Sequence, residues 1–378
     1  MLPHRAQRRG SVIVIVMVTL LFATFALVTF MEKANVDLLV EQRYAVDKRL
    51  RMEAYSALET TLGVLEVFRE AGQGLRSPAD GWSDPLGFAG YSPSEGRTVE
   101  VTFEDESGKI SLPRVTLDNL VTLFEGWGFS KNEAGELGDA LLGWMKRDHI
   151  YATVQPTYDS GALPFESPNR PLRSFSELLA IEKVRDKFFD EEGRPNGYWM
   201  QFTQALSLFD FQQPNINGAR EDTLSAIGGL DEQARKALLD QRASGRGSLA
   251  SPGDAQTIAG PGGNLRAFGA TISALKVIVT VREGNSEFKV AAVVAPQGSS
   301  ARAIRQTATR KETSSAAAKT SSQNQSKPDA SKAGNQNAKA GQAGQGQNQG
   351  LRYPFTLLEI RENADIPSSL APTAQPTL

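Results

Sequence analysis

The sequence predicts an α+β protein: a long N-terminal helix, apolar and then amphipathic, packed on an antiparallel sheet that carries a large helical insertion. Three observations predict it. Val12 to Met31 is one apolar run without a charge. Beyond Glu32 no Pro or Gly occurs until Gly63, so nothing there stops a helix. Strand-like segments lie near residue 100 and after residue 270, with a mainly helical stretch between them.

The apolar run reads VIVIVMVTLLFATFALVTFM, with Thr19, Thr24 and Thr29 as its only polar members. About 20 apolar residues span the hydrocarbon core of a bilayer as a helix. Threonine hydroxyls can bond to the preceding turn and do not forbid it. Arg5, Arg8 and Arg9 precede the run, which places the leader in the cytoplasm and the body on the far side. The run is too long for a cleaved secretory peptide and lacks an Ala-x-Ala-like exit. Downstream, Leu50, Ala54, Ala57, Leu58, Leu62, Leu65 and Phe68 recur at helical spacing. Asp47, Lys48, Arg49, Arg51, Glu53, Glu59, Glu66 and Arg69 occupy other faces, and Gly72, Gly74 and Pro78 supply the stop.

Thr98 to Glu104, TVEVTFE, alternates strictly and reads as a half-buried strand. Ser273 to Val281 and Glu287 to Ala295 read as a hairpin around Gly284-Asn285. Tyr353 to Arg361 reads as a last strand whose proline sits near its start. Between strand and hairpin lie two similar stretches, Gly108 to Trp144 and Pro214 to Ala243. Each is an apolar helix, a glycine turn (Gly126 and Gly128; Gly228 and Gly229) and a second helix. The second resembles a helix-hairpin-helix, whose turn amides meet phosphate in DNA-binding members. Here Asp231 and Glu232 flank the Gly228-Gly229 turn, and Glu221 and Asp222 open its first helix. Arg235, Lys236 and Arg242 do not make the locality basic, so a packing module without nucleic acid is the reading favoured.

Composition narrows the chemistry. The chain of 378 residues carries 41 Lys and Arg against 43 Asp and Glu, so no global charge calls for a polyanion. It has no cysteine, which fits export and removes thiolate chemistry. His4 and His149 are its only histidines, too few for a histidine triad or a zinc site. No nucleophile motif, phosphate loop or ligand cluster stands at catalytic spacing, so an enzyme is not the reading. Gln297 to Gly350 is built of Ser, Ala, Gln, Asn, Gly and Lys and reads as a disordered insertion before the last strand.

The basic leader ending in Arg9-Gly10, then Ser11 and an apolar run that continues as an amphipathic helix, resembles a type IV pilin-like (class III) signal. The resemblance implies cleavage between Gly10 and Ser11 by a prepilin peptidase and N-methylation of Ser11. Most such subunits carry a glutamate five residues into the mature chain; here that position is Ile15. A membrane-buried carboxylate is costly without a partner, and in the family the partner is the amine of the subunit above. An apolar Ile15 therefore points to a tip subunit. Further along, the Asp105-Glu106-Ser107-Gly108-Lys109-Ile110 segment, the Leu137 to Trp144 helix, Ser167-Pro168-Asn169-Arg170-Pro171 with Ser176-Glu177-Leu178, and Asn215-Ile216-Asn217 follow in order. Together these are similar to the type II secretion minor pseudopilin K family (general secretion pathway protein K), over roughly Arg8 to Ala295.

That resemblance implies a pilin-like fold with an inserted helical domain of helix-hairpin-helix, SAM-like repeats. It divides the chain into a leader (1–10), a transmembrane helix (11–31), an amphipathic helix (32–71) and a first pilin-like part with a strand (72–107). An inserted helical domain (108–265), a hairpin (266–296), the low-complexity insertion (297–350) and a last strand with tail (351–378) follow. It implies a single-pass inner-membrane subunit with a periplasmic body, capping a pseudopilus beside minor pseudopilins I and J. Prepilin peptidase, the inner-membrane assembly platform and the lipid bilayer are its further partners. The family can bind calcium in the helical domain, but here Lys146 and Arg147 stand beside Asp148, leaving Asp148 and Asp159 as weak ligand candidates. A membrane-anchored DNA-uptake protein and a type IV pilus minor pilin are the alternatives.

Overall fold

The computed structural model describes residues 10–153, 166–244, 247–304 and 354–363. Its first element, α1 (Gly10–Ala71), is one helix of 62 residues, about 93 Å long at the standard rise. Ile13–Leu38 is long and apolar enough to cross a membrane, and none of it is buried against the body. The three threonines satisfy themselves inside the helix: Thr19, Thr24 and Thr29 donate to the carbonyls of Val16, Leu20 and Phe25 at 2.9, 2.9 and 2.5 Å. From Leu50 onward α1 lies on the body, with Leu50, Ala54, Ala57, Leu58, Leu62 and Leu65 buried. It ends where the amides of Gly72 and Gly74 return to the Phe68 and Arg69 carbonyls. Gln73 and Gly74 hold positive φ there, the left-handed turn that closes helices.

α2 (Pro85–Phe88) leads into β1 (Arg97–Asp105). β1, β4 (Leu275–Glu283), β5 (Ser286–Pro296) and β6 (Phe355–Glu362) form one sheet in that order, each pair antiparallel. Gly284, at φ 57°, turns the β4–β5 hairpin. One face presents Leu275, Val277, Val279, Val281, Phe288, Val290, Ala292 and Val294 to α1. The other face, with Ala291, Val293 and Ala295, is covered by Phe209, Phe211 and Ala301. Double burial explains why Val290 to Ala295 is continuously apolar rather than alternating.

The insertion joins β1 to β4. Its first core gathers α3 (Leu117–Gly126), α4 (Lys131–Met145), α5 (Glu182–Phe188) and α6 (Gly197–Ala205) around Leu120, Phe124, Leu141, Phe188 and Phe202. Its second gathers α7 (Glu221–Ala226), α8 (Glu232–Ala243) and α9 (Pro252–Ala259) around Leu224, Leu238 and Phe268. Both sequence repeats are thus helix–turn–helix pairs, and their first helices, α3 and α7, pack together. A short parallel pairing of β2 (Ile110–Ser111) with β3 (Leu206–Ser207) ties the start of the insertion to its middle.

Two boundaries differ from the sequence reading. Phe268 and Ala270 pack in the second helical core, so the insertion passes residue 265; an aromatic side chain there extends the core beyond the last helix. The low-complexity composition begins at Gln297, yet residues 297–304 are placed on the body. The Gln297 amide donates to the Pro354 carbonyl at 3.1 Å, Ser299 Oγ donates to the Ser273 carbonyl at 2.7 Å, and Arg302 pairs with Asp210. Small residues dock there because Ala301 fits beneath the sheet. Residues 305–350 of that reading lie outside the described residues.

Candidate assembly site: bare helix, clamped sheet and domain junction

Two carboxylates clamp the body to α1 at the end of the sheet nearest the bare half of the helix. Glu53, 9% exposed, accepts from the Tyr91 hydroxyl at 2.7 Å, from the Ser94 hydroxyl at 2.6 Å and from Arg97 at 2.9 Å. Burial pushes its pKa up, but the Ser94, Tyr91 and Arg97 hydrogen bonds outweigh burial and the net shift is downward. Glu362, at the end of β6, accepts from Arg51 at 2.7 Å and from Tyr55 at 2.6 Å. Arg49 stands 4.0 Å from Glu283 at the hairpin end of β4, so the hairpin points toward the bare half of α1.

The helical domain is attached at the opposite end. The Ile272 amide meets the Leu75 carbonyl at 2.6 Å just past the end of α1, and Asn215 donates to the Arg76 carbonyl at 3.0 Å. The insertion therefore sits on the end of the sheet farthest from the bare helix.

A buried polar network makes this junction. Lys109 lies 2.6 Å from Glu104 and 2.9 Å from Glu106, while Lys276 lies 2.7 Å from Glu104. Ser207 Oγ donates to Glu106 at 2.9 Å. Burial raises the Glu104 pKa, but Lys109 and Lys276 outweigh it and leave it lowered. Burial lowers that of Lys109, but Glu106 and Glu104 outweigh it and leave it raised. Asp105 accepts from Ser107 at 2.6 Å and, across 110 residues of sequence, from Asn215 at 2.7 Å. The residue is half-buried, but its carboxylate is enclosed and has no cation bonded to it in the described residues. Burial pushes its pKa up to about 6, against the Ser107 and Asn215 hydrogen bonds. A Cβ at Gly108 would overlap the Gly218 carbonyl, and one at Gly218 would overlap the Asp105 carboxylate. The two segments of the junction approach this closely only as glycine.

The sequence-predicted site residues fall as follows. Gly10 and Ser11 are the first two residues of α1, and Ile15 is 60% exposed on its bare half. Gly228 and Gly229 form the turn between α7 and α8. The Gly229 and Leu230 amides donate to the Ser225 and Leu224 carbonyls at 2.9 and 3.4 Å. The Asp231 carboxylate takes the Ala234 amide at 2.8 Å. These amides are used by the protein, and a carboxylate occupies the helix start where a phosphate would bind. Asp148 is exposed, and among the described residues no group of three His, Asp or Glu side chains could hold a metal. Asp159 lies outside the described residues. The carboxylate that organises this region is instead Asp139, buried, 2.8 Å from His149 Nε2 and accepting from the Thr153 amide and hydroxyl at 2.7 Å.

Sequence reasoning missed Glu53, Glu362, Asp139 and the pairing of Asp105 with Asn215. Periodicity assigns Glu53 to a polar face of α1, and only the Tyr91 to Arg97 loop folding over it makes that face interior. The two halves of the Asp105–Asn215 contact were both visible as motif segments, but nothing local links them.

The arrangement defines a class of architecture: among the described residues one helix is long and apolar enough to cross a membrane, and its distal half is the spine of an antiparallel sheet. Comparison with family models and with curated proteins finds no match. Among solved structures, the chain is similar to one in the crystal structure of the GspK–GspI–GspJ complex from the enterotoxigenic Escherichia coli type 2 secretion system. The TM-score is 0.45 at 15% identity, over 68% of this chain and 93% of that one.

Proposed function

We propose that this chain is a structural subunit of a type II secretion pseudopilus, a minor pseudopilin of the K kind, and that it caps the tip. The observation that carries this is the position of the helical domain. It is fastened to the end of the sheet farthest from the bare helix, through the Leu75–Ile272 and Arg76–Asn215 contacts. A subunit stacked above would meet this domain rather than a spine helix. Ile15 agrees, because a subunit with nothing above it has no amine with which to pair a membrane-buried glutamate.

On this reading prepilin peptidase cuts between Gly10 and Ser11, the leader side is cytoplasmic and the body periplasmic. The subunit leaves the inner membrane through the assembly platform, with minor pseudopilins I and J packed below along α1. Its role in export is mechanical.

N-terminal sequencing of the membrane-extracted protein tests the processing step. It should begin at Ser11 with a methylated amine. Gly10→Leu should run at the precursor mass and abolish export, whereas Ile15→Glu should still be cleaved. A Gly10→Leu chain of mature mass that supports export would overturn the reading. Crosslinks from cysteines introduced on the exposed face of α1, at Met52 or Val67, should reach subunits below. No crosslink from the helical domain should reach a spine helix above.

A further inference from the structure

Two enclosed charges of opposite sign meet at one peptide without bonding each other. The Asp105 carboxylate stands against Gly218, where even a Cβ would overlap it. Arg242 of α8 donates through Nη1 to the Ala219 carbonyl. Among the described residues no carboxylate is bonded to Arg242. Burial pulls its pKa down and the charge of Asp105 pushes it up, with burial the larger, so the two groups share one field. An enclosed charge without a bonded counter-ion is costly.

The other charges around Asp105 are already engaged. Glu104 is held by Lys109 and Lys276, and Glu106 by Lys109. Arg76, whose carbonyl accepts from Asn215, turns its guanidinium to Gly72. The Asn215 to Gly218 segment supplies no charge.

The same contact ties the second helical core to the sheet. Asn215 leads into that core. Its side chain donates to Asp105 and to the Arg76 carbonyl, and its amide donates to the Ser107 carbonyl at 2.7 Å. The first core is fastened separately, through Phe209 and Phe211 beneath the sheet and Ser207 on Glu106. Beside Asn217 and Arg242 lies a cavity of about 350 Å³, with Ser77, Leu239 and Ser248 among its lining residues. It gives the 217–219 segment room to shift and water a way toward the carboxylate.

We propose that this contact is a proton-operated latch: ionisation of Asp105 loosens the Asn215 to Gly218 segment, and with it the second helical core, from the end of β1, while Arg242 sets the acidity at which the latch releases. With a proton on Asp105 the enclosed group is neutral and the latch is shut. Without it, the charge is balanced across the peptide by Arg242 and not by a bonded cation. Withdrawal of Gly218 then admits water and relieves the cost. The sign follows from burial. Asp105 is pushed up to about 6 from an ordinary 3.8, so the closed form keeps a proton that the open form gives up. Opening is rarest below that window and grows as pH rises through it.

Amide exchange of the full-length protein in neutral detergent micelles tests the latch, with rates corrected for the intrinsic effect of pH. The Asn215, Ile216 and Gly218 amides donate to the Ser107, Gly269 and Asn215 carbonyls and serve as reporters. Their protection should fall about tenfold between about pH 5 and 7.5, the change that linkage gives for these two values, while β4 and β5 keep theirs. Asp105→Asn should abolish this dependence. Arg242→Gln should move it to higher pH, because a cation near a carboxylate favours the ionised form. If a variant unfolds, the profile of the unmutated chain decides. Reporter protection that ignores pH in the unmutated chain, or that falls equally across the sheet, would overturn the latch. A dependence that survives Asp105→Asn, or stays at the same pH in Arg242→Gln, would overturn the role proposed for that residue.

Discussion

Asp105 holds its proton more tightly in the folded chain than in the unfolded one, because burial of its carboxylate outweighs the Ser107 and Asn215 hydrogen bonds. The folded state then binds the extra proton between the ordinary value and about 6. Its contribution to stability is greatest below that window, falls as pH rises through it and stays low above. The full fall is about 3 kcal/mol at 1.36 kcal/mol per unit. Asp105→Asn keeps a carbonyl for Asn215 and removes the titration. Relative to this variant, the unmutated body should lose about that much stability between acid and neutral pH, read by urea titration at several pH values. Subtraction is needed because Glu53, Glu104 and Asp139, all depressed, act with the opposite sign and lose stability as pH falls. At the same junction, Gly218→Ala forces a methyl group against the Asp105 carboxylate. It should cost about 1–3 kcal/mol in the same titration, the usual range for overpacking.

α1 behaves as two elements. In its distal half, Leu65 is fully buried against the sheet, and Leu65→Ala should destabilise the body by about 2–5 kcal/mol. In its bare half, Leu20→Ala removes no packing and should leave the body within about 0.5 kcal/mol. Trp82, buried and edge-on to Phe103 at 5.0 Å, is a fluorescence reporter for both. β6 is held to α1 by the Glu362 contacts with Arg51 and Tyr55. Glu362→Ala should speed amide exchange in β6 while β1, β4 and β5 stay protected. Exchange that rises equally across the sheet would show that the clamp belongs to the whole fold rather than to its last strand.

For the whole molecule, the insertion is separable in register. Asp105 at the end of β1 sits directly opposite Leu275 at the start of β4, so a short hairpin turn can replace the residues between them. Such a chain should keep the helix and the sheet by circular dichroism. It should lose stability, because Phe209 and Phe211 no longer cover Ala291 and Val293. If the helical domain is what ends the filament, cells producing the trimmed chain should show longer pseudopili by electron microscopy. Unchanged length would count against the proposed capping by bulk.

The sequence by itself determined the elements whose signal is local. The uncharged run to Met31, the stripe from Leu50 to Leu65, the alternation of Thr98 to Glu104 and the Gly284-Asn285 turn each show their geometry within a few residues. A helix or strand pattern repeats faster than the chain can change direction. Tertiary structure alone decided what those elements meet. Glu53 became interior because a loop some forty residues later closed over it, and residues 297–304 became ordered because Asp210 and the sheet received them. Asp105 found Asn215 because Gly108 and Gly218 let two backbones touch. Periodicity reports which side of an element is apolar; which polar group is enclosed, and which end of the sheet carries the helical domain, depends on contacts far apart in the chain.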